Sequence, residues 1–237
     1  MTDHHDRFGN PIGAPVPGWS PRPLPPAMPM LGRFCTVEPL DPARHGAALA
    51  AAMEADAEGR NWTYLGIDRP ADRTAYLDWL AAVAGKADPM FHAIIDHRDG
   101  QAAGVAAYMR IDRGNGAVEV GNINYAPRLQ RTPTATEAMF LMLRRAFDEL
   151  GYRRYEWKCD SLNAPSRAAA ERLGFRYEGT FLQAVVYKGR NRDTAWFSII
   201  DTEWPAVRAG FERWLAADNF DPAGRQRRSL TACRAAG

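Results

Sequence analysis

The chain has 237 residues, of which 46% are hydrophobic and 24% charged, and its formal net charge is +2 at pH 7. This length suits one domain with a full hydrophobic core and short extensions, and so small a net charge gives no reason to expect a nucleic-acid partner. The sequence shows no apolar run long enough to span a membrane and no apolar leader, so we expect a cytoplasmic protein.

The three cysteines lie far apart in the sequence, at Cys35, Cys159 and Cys233. No Cys or His pair has the spacing of a metal site, so we predict neither a disulfide framework nor a bound metal. Cys159 falls in an alternating strand pattern, where a thiol most often packs as a small hydrophobic side chain. A nucleophilic thiol is the alternative, but no histidine lies near Cys159 in the sequence to activate it.

Residues 1–31 form a proline-rich segment that holds about half of the chain's 17 prolines. That composition predicts an extended N-terminal arm rather than a folded unit. The arm also carries apolar side chains, which predict that it lies on a protein surface: Phe8, Ile12, Val16 and Trp19. The surface belongs either to its own domain or to a second subunit, so both a monomer and a homodimer are open.

After the arm, apolar strands alternate with amphipathic helices. Asp41 predicts a helix start as its N-cap, with Pro42 at the first helical position. Asp99 and Gly100 predict a hairpin turn, and Gly121 predicts a bulge inside a later strand. The predicted elements are a strand at 34–40, helices at 41–58 and 72–84, and strands at 91–96, 102–111 and 117–125.

A polar turn and a long amphipathic helix follow the strand at 117–125. One predicted helix start has Thr132 as N-cap and Pro133 at the first position; the other is a capping box of Thr134 and Glu137. The next predicted element is a strand at 154–160. A strand, a helix and a strand in this order form a crossover, so the two strands are predicted to be parallel neighbours.

The rest of the chain adds a helix, a hairpin and a last helix, which are predicted at 163–173, 175–187 with 194–201, and 204–216. The predicted domain therefore spans 32–217, with the last helix docked on it. Residues 218–237 form a C-terminal tail with several arginines. We interpret this tail as a mobile basic end rather than as a nucleic-acid-binding arm.

This order of elements resembles the GNAT superfamily, the acyl-CoA N-acetyltransferases, over roughly residues 32–202. It looks most similar to the branch that includes the ribosomal-protein N-terminal acetyltransferases (RimJ/RimL-like). Four motifs carry the resemblance: Gln130-Arg-Thr-Pro-Thr-Ala135, Thr136-Glu137-Ala138, Asn163-x-x-Ser166 and Arg172-Leu-Gly-Phe175. The resemblance implies an α/β (α+β mixed) fold, with a central, mixed, mostly antiparallel sheet, a splayed parallel strand pair and helices on both faces.

The resemblance also implies that residues 130–136 bind the pyrophosphate of coenzyme A through backbone N–H groups. The first turn of a helix suits an anion, because its N–H groups are unpaired and its dipole end is positive. The family usually has glycine where this chain has Pro133, which has no N–H. Side chains are expected to compensate, namely those of Arg131, Thr132, Thr134 and Thr136. The alternative is an ordinary capped helix.

By the same resemblance, the pantetheine arm pairs with the exposed strand backbone from Asn122 to Tyr125. Many members place a tyrosine general acid where this chain has Ala170, so Ser166 becomes the candidate acid for the leaving thiolate. For Ser166 and Asn163 the alternative is helix capping alone. The implied cofactor-binding residues are Ile123, Tyr125, Gln130, Arg131, Thr132, Thr134, Ala135, Thr136, Asn163, Ser166 and Arg167.

Acylation of an amine also needs a base or a water chain, because an ammonium group has no lone pair with which to attack. Glu119 lies eleven residues before Gln130, a spacing similar to that of the catalytic glutamate in the histone-modifying branch. A structural carboxylate is the alternative for Glu119. On the acceptor side we expect contacts from Trp62, Tyr64 and Tyr187, although aromatic side chains in such loops also serve as lid packing.

We therefore predict an acetyl-CoA-dependent N-acetyltransferase that uses no metal and has no nucleic-acid or membrane partner. Its acceptor is a primary amine, of a protein N-terminus or of a small molecule, and the acetyl group passes directly in a ternary complex. The alternative is a non-catalytic acyl-CoA-binding module. Pro133 and Ala170 favour that alternative, and Glu119 and Ser166 oppose it.

Overall fold

A computed structural model describes residues 4–235 of the chain. The strands are β1 (His4–His5), β2 (Pro11–Ile12), β3 (Met30–Leu31), β4 (Cys35–Pro39), β5 (Met90–Asp96), β6 (Gln101–Asp112), β7 (Ala117–Tyr125), β8 (Arg154–Asp160), β9 (Arg176–Tyr187) and β10 (Arg190–Ile200). The helices are α1 (Pro42–Glu54), α2 (Arg73–Val83), α3 (Pro133–Arg144), α4 (Ala164–Leu173), α5 (Trp204–Leu215) and α6 (Leu230–Ala235). Most predicted boundaries fall within a few residues of these.

Eight of the strands form one sheet, in the order β3-β4-β5-β6-β7-β8-β10-β9. Every neighbouring pair is antiparallel except β7 and β8. The parallel pairing joins only Ala117–Val120 to Arg154–Trp157, and the two strands part beyond it. The bulge lies one residue after Gly121, at Asn122, whose φ is 50°. The predicted mixed sheet with a splayed parallel pair is confirmed.

Helices cover both faces of this sheet, and each face has its own core. Leu49 of α1 and Leu80 of α2 pack on one face, against strand residues such as Val105. Met142 of α3 and Phe211 of α5 pack on the other face. We call these the α1–α2 face and the α3 face. Side chains alternate along a strand, so the buried Val118 and Val120 place Glu119 on the α1–α2 face.

The start of α3 settles the choice between the two predicted caps. Thr132 is the N-cap, and its hydroxyl accepts from the Ala135 N–H. Glu137 does not take part in a capping box, so that prediction is wrong. Its buried carboxylate instead accepts the backbone N–H groups of Arg33, Phe34 and Cys35 at 2.8, 2.6 and 2.9 Å.

The second half of the predicted arm lies on its own domain. The Trp19 indole N–H donates to the Gly114 carbonyl, and the Tyr152 hydroxyl donates to the Pro23 carbonyl. Nearer the domain, the Arg145 guanidinium donates to the carbonyls of Met28 and Pro29. Residues 4–12 form the small β1–β2 hairpin, on which Phe8 and Ile12 are exposed. Residues 1–3 lie outside the described part of the chain.

The interpretation of the C-terminal tail as a mobile end is wrong for residues 218–235. Leu230 and Cys233, three residues apart on α6, are fully buried in the α3-face core. The Arg213 side chain donates to the Cys233 carbonyl, and the Trp214 indole donates to the Gln226 side chain. The folded domain therefore extends through α6; residues 236–237 of the predicted tail are not described.

All three cysteines are free and buried. Burial is the main cause that raises the pKa of the Cys159 thiol. A protonated, buried thiol is a poor nucleophile, so the prediction of a small hydrophobic residue at Cys159 is confirmed. In residues 4–235, no helix is both long and apolar enough to cross a membrane.

Candidate active site

The turn before α3 presents unpaired backbone N–H groups. Arg131 has a left-handed backbone with φ of 59°. In the described chain, the N–H groups of Arg131, Thr132 and Thr134 donate to no oxygen. We call these three groups the amide turn. They lie at the positive end of α3, where backbone N–H groups bind anions, and Pro133 interrupts them.

The threonine hydroxyls do not add to this anion site as expected. The Thr132 hydroxyl donates to the Leu129 carbonyl at 2.6 Å. The Thr136 hydroxyl donates to the Thr132 carbonyl and accepts from Arg172. Thr134 is buried and its hydroxyl points to Asp96. The expectation that these hydroxyls replace the N–H missing at Pro133 is therefore wrong. The Arg131 side chain is exposed beside the turn.

The cleft between β7 and β8 has the backbone of β7 along one side. The Ile123 and Tyr125 side chains pack on the α3-face core, so these residues turn only their backbone to the cleft. The Tyr125 carbonyl accepts from the side-chain amides of Asn61 at 2.9 Å and Gln130 at 3.0 Å. Gln130 also donates to the Asn61 side chain at 2.9 Å. Gln130 and Asn61 thus tie the loop after α1 to the end of β7.

The loop from β8 to α4 forms the opposite side of the cleft. Asn163 is the N-cap of α4, and its side chain accepts the Ser166 N–H at 3.1 Å. The Ser166 hydroxyl oxygen accepts the Trp157 indole N–H at 3.0 Å, which leaves its own O–H as a donor. Arg167 donates to the Ser161 carbonyl. Ala170 is fully buried in the core, so packing accounts for a small residue there.

Glu119 lies on the α1–α2 face, beside the point where β7 and β8 part, and is 3% exposed. Its two carboxylate oxygens accept from the Arg110 guanidinium at 2.7 and 2.8 Å. The Lys158 ammonium lies 2.9 Å from Glu119 and 2.7 Å from Glu156. These are the contacts of a structural carboxylate. A role as base would require the half-exposed Arg110 to release one of the oxygens.

The structure places the three residues expected to contact the acceptor in different surroundings. Trp62 is 3% exposed and packs edge-to-face against Tyr76 and Trp79, so its ring belongs to the core and the prediction that it contacts the acceptor is wrong. The half-buried Tyr64 donates to the Leu162 carbonyl at 3.3 Å. Tyr187 donates to Asp160 at 2.8 Å, and burial, followed by that hydrogen bond, raises the pKa of Tyr187.

Sequence reasoning did not single out Asn61, Lys158 or Asp160 as site residues. A signal existed for the last two, because the alternation along 154–160 places them on the face opposite Trp157 and Cys159. Asn61 offered no such signal, because it contacts Tyr125 and Gln130, which lie 64 and 69 positions later in the sequence. Among the residues that the structure describes, no three His, Cys, Asp or Glu side chains are grouped as metal ligands.

Comparison with known proteins relates these features to a family. The sequence model of the acetyltransferase (GNAT) domain matches residues 35–176. The crystal structure of a GCN5-related N-acetyltransferase from Brucella melitensis is 47% identical, with a TM-score of 0.90 over 93% of this chain and 100% of that chain. A structure from Chromobacterium violaceum, described as a probable acetyltransferase of the GNAT family, is 42% identical, with a TM-score of 0.76 over 83% of this chain and 98% of that chain.

Among curated proteins, the chain is similar to YdaF of Bacillus subtilis, a proposed ribosomal N-acetyltransferase. The two are 28% identical over 106 residues, which is 45% of this chain and 57% of YdaF. The match therefore spans little more than half the length of that relative.

Proposed function

The chain belongs to the GNAT acetyltransferase family, and from this premise we propose that it transfers an acetyl group from acetyl-CoA to a primary amine. The amine is that of a protein N-terminus or of a small molecule; the similarity to YdaF supports the first. The acetyl group passes directly to the amine in a ternary complex. The buried, protonated Cys159 supports direct transfer, because it is unsuited to carry an acyl group.

The amide turn is the observation that carries this proposal. The N–H groups of Arg131, Thr132 and Thr134 fit the pyrophosphate of acetyl-CoA, and the exposed Arg131 side chain adds positive charge. The backbone of Ile123 to Tyr125 offers the edge along which the pantetheine arm would pair. The amide turn is held by Gln130, Ala135 and Thr136. The opposite side of the cleft is lined by Asn163, Ser166 and Arg167. Unpaired amides beside a strand edge that has parted from β8 suit an elongated ligand with one anionic end.

Glu119 and Ser166 are the proposed catalytic residues. The acceptor ammonium must lose a proton before its nitrogen forms a bond to the acetyl carbonyl carbon, and Glu119 takes up that proton, directly or through a water chain. As the bond from that carbon to sulfur breaks, Ser166 donates its hydroxyl proton to the leaving thiolate and regains a proton, through water, as the nitrogen gives up its second proton and becomes the amide. Neither residue carries the acetyl group.

A non-catalytic acyl-CoA-binding module is the second candidate. The double contact of Arg110 with Glu119 favours it, because it occupies both carboxylate oxygens. A thiol-release assay with acetyl-CoA, run over panels of peptides and small amines, separates the two functions. We expect at least one amine to accelerate thiol release. If calorimetry detects coenzyme A binding and no amine accelerates release, the enzyme proposal fails and the binding module stands.

Replacing Pro133 with alanine tests the amide turn. The change adds an N–H within the turn, and an added hydrogen bond to a phosphate of about 1 kcal/mol should tighten coenzyme A binding about fivefold. Loss of the proline's rigidity should lower the free energy of unfolding by about 0.5–1 kcal/mol. Calorimetric titration and urea unfolding measure the two effects.

Pro42→Ala is the matched control, because Pro42 also begins a helix, after the N-cap Asp41. It should show the same loss of stability with no change in coenzyme A affinity. An unchanged affinity in Pro133→Ala would mean that phosphates do not bind at the first turn of α3.

A further inference from the structure

The carboxylate of Glu119 is covered by an arginine that has unused hydrogen-bond donors. One nitrogen of Arg110, Nη1, donates to both Glu119 oxygens at 2.7 and 2.8 Å. Within residues 4–235, the Nε and Nη2 groups of Arg110 donate to no oxygen. The Arg110 side chain is 56% exposed, whereas that of Glu119 is 3% exposed. Arg110 therefore closes off the carboxylate while two of its own donor groups stay available to a ligand.

The backbone of Arg110 is held in a conformation that favours glycine. Its φ is 48°, in the left-handed region, which is unfavourable for a residue with a Cβ. The Asp88 carboxylate accepts the N–H groups of Arg110 and Ile111 at 3.0 and 2.9 Å and stabilises this conformation. Backbone strain of this kind clusters at functional sites. The placement of Arg110 over Glu119 therefore calls for a functional explanation.

Glu119 belongs to a chain of ion pairs that crosses the sheet from β6 to β9. Opposite charges alternate along it, and its contacts are 2.5–2.9 Å long. Its members, in spatial order, are Arg110, Glu119, Lys158, Glu156, Arg154 and Glu178. Arg110 ends the chain and is its most exposed member, so it can move with the least loss of packing. Because the charges of the chain balance, a molecule that displaces Arg110 from Glu119 has to leave them balanced.

An exchange of ion pairs lets a zwitterion reach Glu119 without leaving a charge unpaired. Its ammonium group takes the place of Arg110 beside Glu119, and its carboxylate pairs with the released guanidinium. Arginine binds carboxylates through two parallel N–H···O bonds, for which Nε and Nη2 of Arg110 are available. In an α-amino acid the nitrogen and the carboxyl carbon are only about 2.5 Å apart. Such a molecule therefore reaches two partners that are themselves in contact.

Amines without a carboxylate leave charges unpaired at this place. A diamine brings two positive charges beside Arg110 and Lys158, which repel them. The amide of an amino acid, like a peptide N-terminus, has the ammonium group but offers Arg110 no anion when it leaves Glu119. The carboxylate is therefore the group that separates the acceptor classes.

We propose that Arg110 binds the carboxylate of the acceptor, and that the acceptor is a free α-amino acid. As the carboxylate draws Arg110 away, the oxygens of Glu119 become free to take up the proton of the acceptor ammonium. This proposal rests on the acetyl transfer proposed above and selects its small-molecule acceptor. Arg110 binds and positions the acceptor and takes no part in proton transfer.

Arg110→Gln tests the proposal, because glutamine stays polar and removes the positive charge. The probes are a panel of neutral amino acids and the amide of each, titrated calorimetrically into the full chain saturated with coenzyme A. We expect at least one amino acid to bind about tenfold more tightly than its amide. Arg110→Gln should remove that tenfold advantage and leave the affinity for coenzyme A unchanged. Arg110→Lys keeps the charge but not the paired donors, so it should weaken binding of the amino acid about threefold.

Arg44→Gln is the matched control, since the exposed Arg44 side chain also pairs with a glutamate, Glu38, at 2.8 Å. It should leave all of these affinities unchanged. The proposal is overturned if no amino acid binds, if the amides bind as tightly as the acids, or if neither substitution of Arg110 weakens the binding. Calorimetry gives this result whether or not thiol release occurs, so failure of the Arg110 proposal and failure of acetyl transfer are told apart.

When the amino acid is also turned over, Arg110→Gln should raise its KM about tenfold. For the amide of the same amino acid, the variant should raise kcat/KM, because Arg110 no longer occupies both oxygens of Glu119. A purely structural role of Arg110 would instead lower kcat/KM for both compounds. A fall for both would therefore contradict the proposal.

Discussion

Replacing Glu119 with glutamine is expected to lower kcat about 100-fold and to leave the affinity for acetyl-CoA nearly unchanged. Glutamine keeps the shape of the side chain but cannot take up the proton of the acceptor, and general base catalysis contributes about 100- to 10,000-fold. The amide turn lies at the other end of β7, so cofactor binding should not respond. Steady-state kinetics and calorimetry with coenzyme A give the two values.

A structural effect of the substitution has to be separated from a catalytic one. Glu156→Gln is the matched control, because Glu156 contacts the same Lys158 from the neighbouring strand at 2.7 Å. We expect that control to change kcat less than threefold. The pH–rate profile of the Glu119 variant gives a second readout. If its pH–rate profile matches that of the unmodified protein, Glu119 has no place in the mechanism.

Replacing Glu137 with alanine should destabilise the domain by about 3–5 kcal/mol. The substitution leaves three N–H groups without their acceptor, the buried one of Cys35 and the partly buried ones of Arg33 and Phe34, and a buried group without a partner costs about 1–3 kcal/mol. For a domain of this size the melting temperature should fall by about 6–20 °C. Glu137→Gln keeps one acceptor oxygen and should lose about half as much.

Glu212→Ala provides the comparison, because Glu212 makes an exposed pair with Arg208 one turn away on α5. Such a surface pair contributes about 0.3–0.5 kcal/mol. Urea unfolding, monitored by tryptophan fluorescence, measures both variants. Equal stability losses in Glu137→Ala and Glu212→Ala would show that the carboxylate of Glu137 does not hold the segment before β4.

The sequence allowed most of the architecture to be predicted because apolar periodicity is local. The strands at 117–125 and 154–160 have the predicted bounds, and their parallel pairing follows from the crossover between them. The tail was misjudged because α6 has only two buried apolar residues, Leu230 and Cys233, too few for a periodic pattern.

The site was less predictable because its side-chain partners are set by tertiary contacts. The motif at 130–135 predicted the position of the amide turn. It did not predict that Thr134 and Thr136 are buried there, with their hydroxyls directed to other groups of the protein. Likewise, an aromatic residue in a loop looks the same in sequence whether it faces a cleft or the core. Trp62 faces the core because α2 brings Tyr76 and Trp79 to it.

The contacts that hold the start of the domain also set the order in which it can assemble on the ribosome. Glu137 binds the N–H groups of residues 33–35, and Arg145 binds the carbonyls of Met28 and Pro29, across 102–117 positions of chain. At about 5–20 residues per second, the start of the chain emerges roughly 5–25 seconds before these partners are made. During that interval β4 and the segment before it lack the groups that anchor them, and a chaperone that binds emerging apolar segments has access to them.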